Sequence, residues 1–305
     1  MAKPNFITFE EAELNIPILY EDRSVLAIDK PAGWMLAPDS WDETARNLQL
    51  ALQSSMNAGD YWAHSRNLKY LRYVHRLDAE TSGVILFAKS SGALRAYTEL
   101  FETRQVDKRY LTVVHGTPLN PEWTCDLPLT AVPGAVGRMK AILPTDPEAK
   151  LFSTRDQDYT DDSEDDEDFE AESPPPGVRR HAVGPDRPLI TPLEMIKDAT
   201  THFRVVAKTA KTTLVEAHPV TGRTHQIRVH LAASGHPVVG DPLYGIDTAA
   251  ASKGRQKLAL RARMLAYRDP FMKRPVRILA PMGDFLRDYG FDPNLVLVAP
   301  SKPRL

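Results

Sequence analysis

The sequence predicts an α/β chain of the α+β type, built from short paired strands and a few helices. Three observations lead there. Of its 305 residues 42% are hydrophobic, enough for a sizeable core. Short apolar runs recur in pairs separated by polar turn residues, as in hairpins. Two stretches carry apolar residues at helical spacing.

The elements follow in chain order. Residues 1–16 read as a polar arm with one short strand at Phe6–Phe9. Ile18–Tyr20 and Ser24–Asp29 flank the turn-like Glu21-Asp22-Arg23, and Lys30-Pro31-Ala32-Gly33 closes the second run. Ala45, Leu48, Leu50, Ala51 and Leu52 mark a helix within 40–60, ended by Gly59. Gly83–Lys89 is a buried strand. A helix capped by Ser90 or Ser91 follows, with Ala93, Leu94, Tyr97, Leu100 and Phe101 on its apolar face up to Thr103. Lys108–His115 is β-rich. His202–Lys208 and Thr212–His218 pair. Thr224 is expected to cap a helix with Ile227, Leu231 and Ser234 on one stripe, with Gly235 just past its end. Lys257–Tyr267 and Pro275–Ala280 are the last strands.

Charge is distributed unevenly. Residues 156–172 hold 11 acidic residues and no Lys or Arg. Without them 38 basic residues face 29 acidic ones, a formal +9, which suits a polyanionic partner. The region 144–188, acidic and then Pro-rich, reads as a disordered insertion dispensable for catalysis. The single cysteine, Cys125, can build neither an intramolecular disulfide nor a cysteine metal cluster. No run approaches the ~20 apolar residues of a membrane span and no secretory signal is visible, so the expected location is the cytoplasm.

Two constellations carry chemistry. His75-Arg76-Leu77-Asp78-Ala79-Glu80-Thr81-Ser82-Gly83 puts a carboxylate in a polar turn next to a buried strand. By itself this fits an ordinary turn Asp equally well. His218-Pro219-Val220-Thr221-Gly222-Arg223-Thr224-His225-Gln226-Ile227-Arg228-Val229-His230 runs from a strand through a turn into a helix start, where free N–H groups favour an anion, either a phosphate or a protein carboxylate. His218, His225 and His230 lack metal-motif spacing, so no metal is expected. Asp107-Lys108-Arg109-Tyr110 adds an aromatic at a strand start.

Taken together, HRLDAETSGVILFAK, KRYLTVVHG and HPVTGRTHQIRVHLAASGHPVVGDPLYG closely resemble the RluA-type RNA pseudouridine synthases, with ILYEDRSVLAIDKPAGW matching their opening motif. The resemblance covers residues 17–285 apart from the insertion, leaving 286–305 as a tail. It implies a mixed, largely antiparallel central sheet with flanking helices and an active-site cleft. It implies isomerisation of uridine in ribosomal or transfer RNA without a cofactor. It carries Asp78 as the catalytic carboxylate, Arg228 as its partner and Tyr110 as the residue that stacks on the base. Arg76 would fill the gap left by a flipped-out uridine. His75, Lys30, Arg223 and His225 are RNA-facing or structural helpers. With about 16 residues before the catalytic domain, no N-terminal S4-type domain is expected, so RNA recognition falls to this domain. A monomer without an obligate protein partner is expected.

One position departs from the family. Leu258-Ala259-Leu260-Arg261-Ala262 has Arg where relatives usually carry His. That departure keeps open a catalytically inactive RNA-binding or ribosome-assembly factor on the same fold. A metal-dependent hydrolase built on the His cluster is the other alternative.

Overall fold

Alternating apolar residues in the first half of the chain bury both faces of a sheet. The computed structural model describes residues 3–9, 13–36, 46–135, 137–149, 196–246 and 256–297. Strand β1 (Phe6–Phe9) pairs antiparallel with β2 (Leu14–Glu21), which pairs with β3 (Val25–Lys30). Helices α1 (Leu48–Ala58) and α2 (Tyr61–His64) follow, then β4 (Arg72–Tyr73), β5 (Ser82–Ala88) and α3 (Ser91–Glu102). Val25, Ala27, Val84 and Leu86 pack with Ala93, Tyr97 and Leu100 of α3. Leu26, Ile28, Ile85 and Phe87 turn the other way, onto Leu48, Leu52 and Trp62. Cover on both faces explains why GVILFAK is continuously apolar rather than alternating. Each buried Val, Leu, Ile or Phe among them contributes about 1.5–3 kcal/mol.

The second half extends the sheet. Strand β6 (Asp107–His115) pairs with β11 (Thr212–Pro219), β11 with β10 (Thr201–Lys208), and β10 with β7 (Glu122–Cys125). Strands β8 (Leu129–Ala131) and β9 (Met139–Ala141) form a separate hairpin. Helix α4 (Gln226–Ala233) lays Ile227 and Leu231 on Val215 and Ala217. Strand β12 (Leu260–Arg268) pairs with β13 (Pro275–Leu279), and α5 (Gly283–Asp288) buries Leu286 in the same core as Phe291.

The two halves meet where β12 lies between β5 and β6. Arg261 and Ala262 pair in parallel with Ser82 and Gly83, the one parallel contact among the described strands. On its other edge Ala262 faces Tyr110 of β6. Gly83 has φ +113, and a Cβ there would lie 2.1 Å from the Ala262 carbonyl oxygen. Only glycine allows that approach. Beyond it the edge of β12 passes to β13, so the sheet forks at the middle. The result is the mixed, mostly antiparallel α+β architecture that the resemblance implied.

Three local expectations change. Helix α1 starts at Leu48 because the Asn47 side chain accepts the Leu50 N–H, and residues 37–45 lie outside the described part. Thr224 does not cap α4. That position falls to His225, in the left-handed region at φ 55, and the Gln226 side chain accepts the Arg223 N–H instead. Strand β12 begins at Leu260 rather than Lys257. Residues 150–195, which take in most of the acidic insertion expected at 144–188, also lie outside the described part, and the expectation of disorder falls on them. Among the described residues no helix is long and apolar enough to cross a membrane.

Candidate active site

The loop that carries Asp78 is tied down at both ends. At its start Val74 N–H donates to the Leu86 carbonyl (2.8 Å), and Leu86 N–H donates to His75 Nε2 (3.2 Å). The His75 ring stacks on Phe101, centroids 4.6 Å apart. Burial pushes its pKa down to about 3, so it is a neutral acceptor at physiological pH. At the far end Thr81 N–H closes a turn on the Asp78 carbonyl (3.0 Å). Lys30 is fully buried, and its ammonium donates to the carbonyls of Ala79 (2.8 Å), Thr81 (2.8 Å) and Pro31 (3.1 Å). Three donors meet three acceptors. Burial pushes the Lys30 pKa down to about 8, against the pull of the Glu80 and Asp78 charges. His75 and Lys30 therefore hold the loop from behind. Of the two places expected for them, RNA-facing or structural, these backbone bonds and the full burial of Lys30 fit the structural one.

Arg228 reaches this loop from α4. Gln226 fixes the helix start. Its Oε1 accepts from Thr221 Oγ1 (2.7 Å) and Arg223 N–H (3.0 Å), and its Nε2 donates to the Thr200 carbonyl (3.0 Å) and Thr201 Oγ1 (2.9 Å). Arg228, one turn in, is buried. Nε donates to Asp241 Oδ2 (2.8 Å) and Nη2 to Asp241 Oδ1 (2.9 Å), a two-pronged pair. Nη1 is left for Asp78 Oδ2 at 3.2 Å. Burial lowers the Arg228 pKa, but its bonds to Asp241 and the charges of Asp241 and Asp78 outweigh that and raise it. Burial raises the Asp241 pKa, but Arg228 and the backbone N–H groups of Leu243 and Tyr244 outweigh that and lower it. The Asp78 side chain keeps 27% of its surface exposed, so one carboxylate is both anchored and accessible.

Tyr110 stands in β6 between Ala262 and Ala217. Burial raises its phenol pKa and the negative Asp78 raises it further, so the hydroxyl stays protonated. His225 places Nε2 3.9 Å from Asp78 Oδ2 and Nδ1 2.9 Å from the Tyr244 hydroxyl. Arg76 is exposed, two residues before Asp78. Arg223 donates from Nε to the Asp198 carbonyl (3.0 Å). Arg261 spans the fork. It binds Asp29 (2.6 Å), Ser82 Oγ (3.2 Å) and the Pro281 carbonyl (2.8 Å).

The fold thus brings Asp78, Arg228, Tyr110 and His225 together, with His75 and Lys30 bonded to backbone on either side of the Asp78 loop. The three histidines considered for metal have separate partners: Asp107 for His218, Tyr244 for His225, and Thr201 with the Leu127 carbonyl for His230. Among the described residues no group of three or more His, Cys, Asp or Glu could hold a metal ion. Asp241 and Tyr244 received no role from sequence reasoning. Their signal was the polar Gly240-Asp241-Pro242-Leu243-Tyr244-Gly245 directly after the apolar Val238-Val239.

A carboxylate held by a buried arginine, open on one side and beside a protonated phenol, can attack or deprotonate a bound molecule. Fold and site together define an α+β protein with one accessible carboxylate held by a buried arginine at the sheet's fork. A model described as RNA pseudouridylate synthase matches residues 24–175 and 190–233. Among curated relatives, ribosomal large subunit pseudouridine synthase C of Vibrio vulnificus is 29% identical over 278 residues, 90% of this chain and 68% of the relative. Ribosomal large subunit pseudouridine synthase D of Xanthomonas campestris is 30% identical over 287 residues, again 90% and 68%. Among solved structures, human RNA pseudouridylate synthase domain containing 4 superposes with a TM-score of 0.56 at 22% identity, covering 86% of this chain and 87% of that one, a likeness of fold. The chain belongs to the RNA pseudouridylate synthase family, isomerases that act on RNA.

Proposed function

We propose that this protein converts specific uridines to pseudouridine in structured RNA, ribosomal or transfer RNA, without metal or cofactor, as a cytoplasmic monomer. The observation that carries this reading is the Asp78 carboxylate held by Arg228 at 3.2 Å, with Arg228 itself fixed by Asp241. The reaction breaks the bond between uracil N1 and ribose C1′, turns the base, and joins C5 to C1′. The proton on C5 leaves and N1 gains one, so no oxidant, reductant or group donor enters. Asp78 is the catalytic residue, in contact with the nucleoside. Arg228 fixes its rotamer and keeps one oxygen occupied, leaving the other for the substrate. Tyr110 packs on the extruded base with its phenol protonated. Arg76 fills the gap in the RNA stack, offsetting an unstacking cost of a few kcal/mol. The relatives named for the large ribosomal subunit favour ribosomal RNA as the first substrate to try.

The test is tritium release from RNA labelled at uracil C5, with transfer RNA and ribosomal RNA offered separately. Release from one pool names the substrate class. No release from either pool or from assembled ribosomal particles, by folded protein that binds them, would replace this reading with the non-catalytic RNA-binding factor.

A further inference from the structure

We infer that Tyr244 fixes the tautomer of His225, so that the imidazole turns an Nε2–H, not a lone pair, toward the Asp78 carboxylate. Its bearing on the reaction rests on the reading of Asp78 given above.

The Tyr244 hydroxyl oxygen accepts from the Met139 backbone N–H at 2.9 Å. It also lies 2.9 Å from His225 Nδ1. A backbone amide can only donate, so the phenol keeps its proton for Nδ1. Were Nδ1 to carry a proton, the phenol oxygen would accept twice and its own proton would have no acceptor among the described residues. In a half-buried position that arrangement is the costlier one. Burial raises the Tyr244 pKa, which keeps the O–H available.

The other side of the ring selects the same tautomer. Nε2 stands 3.9 Å from Asp78 Oδ2. That is longer than a hydrogen bond, yet close enough for sign to matter. An N–H there is attracted and a lone pair is repelled. The ring cannot easily evade the choice. His225 is fixed at φ 55 before α4, mostly buried, and meets the Tyr244 ring edge to face at 5.6 Å. Tyr244 also lies 5.2 Å from the Arg228 guanidinium, and its backbone N–H donates to Asp241 Oδ1 (3.0 Å). One residue thus steadies both donors beside Asp78, the permanent cation and the imidazole. Tyr244 and His225 are positioning residues on this account.

The test is a long-range proton–nitrogen correlation spectrum of protein labelled with nitrogen-15 histidine, with the His225 ring assigned by His225→Gln. The wild type is expected to show the Nε2-protonated pattern at neutral pH. Tyr244→Phe keeps the ring and removes the hydroxyl; Asp78 alone then favours the Nε2–H form, so the variant should show a mixture with a smaller Nε2-protonated fraction. The same variant should lower kcat for uridine isomerisation about 10-fold, the scale for losing an orienting neighbour, with KM for RNA unchanged. In a His225→Gln background Tyr244→Phe should have no further effect on kcat. An Nδ1-protonated ring in the wild type, or an unchanged ring in Tyr244→Phe, would overturn the inference. The spectra need no turnover, so an inactive wild type would count against the proposed function and not against the tautomer.

Discussion

At the scale of single residues, burial decides which polar groups face the substrate, and the sequence does not display burial. Asp78 and Arg228 were legible because their motifs named them. Their joint dependence on Asp241 was not, since that carboxylate lies 13 residues beyond Arg228 and meets it only after folding. His75 is open to two readings in sequence. It stands beside Arg76 and Asp78 and reads as either RNA-facing or structural. In the fold its ring lies on Phe101 and accepts from Leu86. A pH dependence follows. Burial puts the folded pKa of His75 at about 3 against an ordinary 6.5. Between these values the unfolded chain binds a proton that the folded protein refuses, so stability falls as pH drops from about 6.5 towards 3. His75→Gln offers an oxygen to the Leu86 N–H but cannot titrate. Its urea midpoint should therefore fall less steeply than that of the wild type over that window. His218 and His230, also shifted down, act alike in both proteins and leave the comparison clean. Equal slopes would contradict the assignment.

At the scale of elements, local and long-range signals separate. The strand Ser82–Ala88 and the helix Ser91–Glu102 were read almost to the residue, because apolar pattern, the Ser90 cap and burial all agree there. The start of α4 was misread because Gln226, not Thr224, bonds the turn. The parallel contact of β5 with β12 was invisible, since nothing local announces a partner about 180 residues away. Yet that contact sets the site. It brings the strand after Asp78 against Ala262, whose other neighbour is Tyr110. Gly83→Ala tests it. The added Cβ would meet the Ala262 carbonyl at 2.1 Å, on a backbone with φ +113. Neither group is the end of a flexible side chain, so strands must part. The expected loss exceeds about 4 kcal/mol, or soluble protein is not recovered. A stable, active Gly83→Ala protein would show that the fork is not needed.

At the scale of the whole molecule, two half-sheets meet along β12, and Asp78 enters at their junction while Arg228 comes from the far half. Arg261, the residue that departs from the family pattern, clamps that same junction through Asp29, Ser82 and Pro281. Its bonds give it a structural place and take nothing from Asp78. The sequence conveyed the class of the fold through its paired apolar runs. The mixed, largely antiparallel sheet came only with the family resemblance, and the order of its strands came with neither, because strand order depends on contacts that leave no local trace. The basic excess of the body agrees with a polyanionic substrate but could not choose among RNAs. The central claim is that this junction isomerises uridine through Asp78. The most direct measurement is the pseudouridine content of RNA digested to nucleosides after incubation, in EDTA, with the wild type or with Asp78→Asn. The account predicts new pseudouridine from the wild type and none from Asp78→Asn, with RNA binding retained by both. Equal pseudouridine from the two proteins would contradict it.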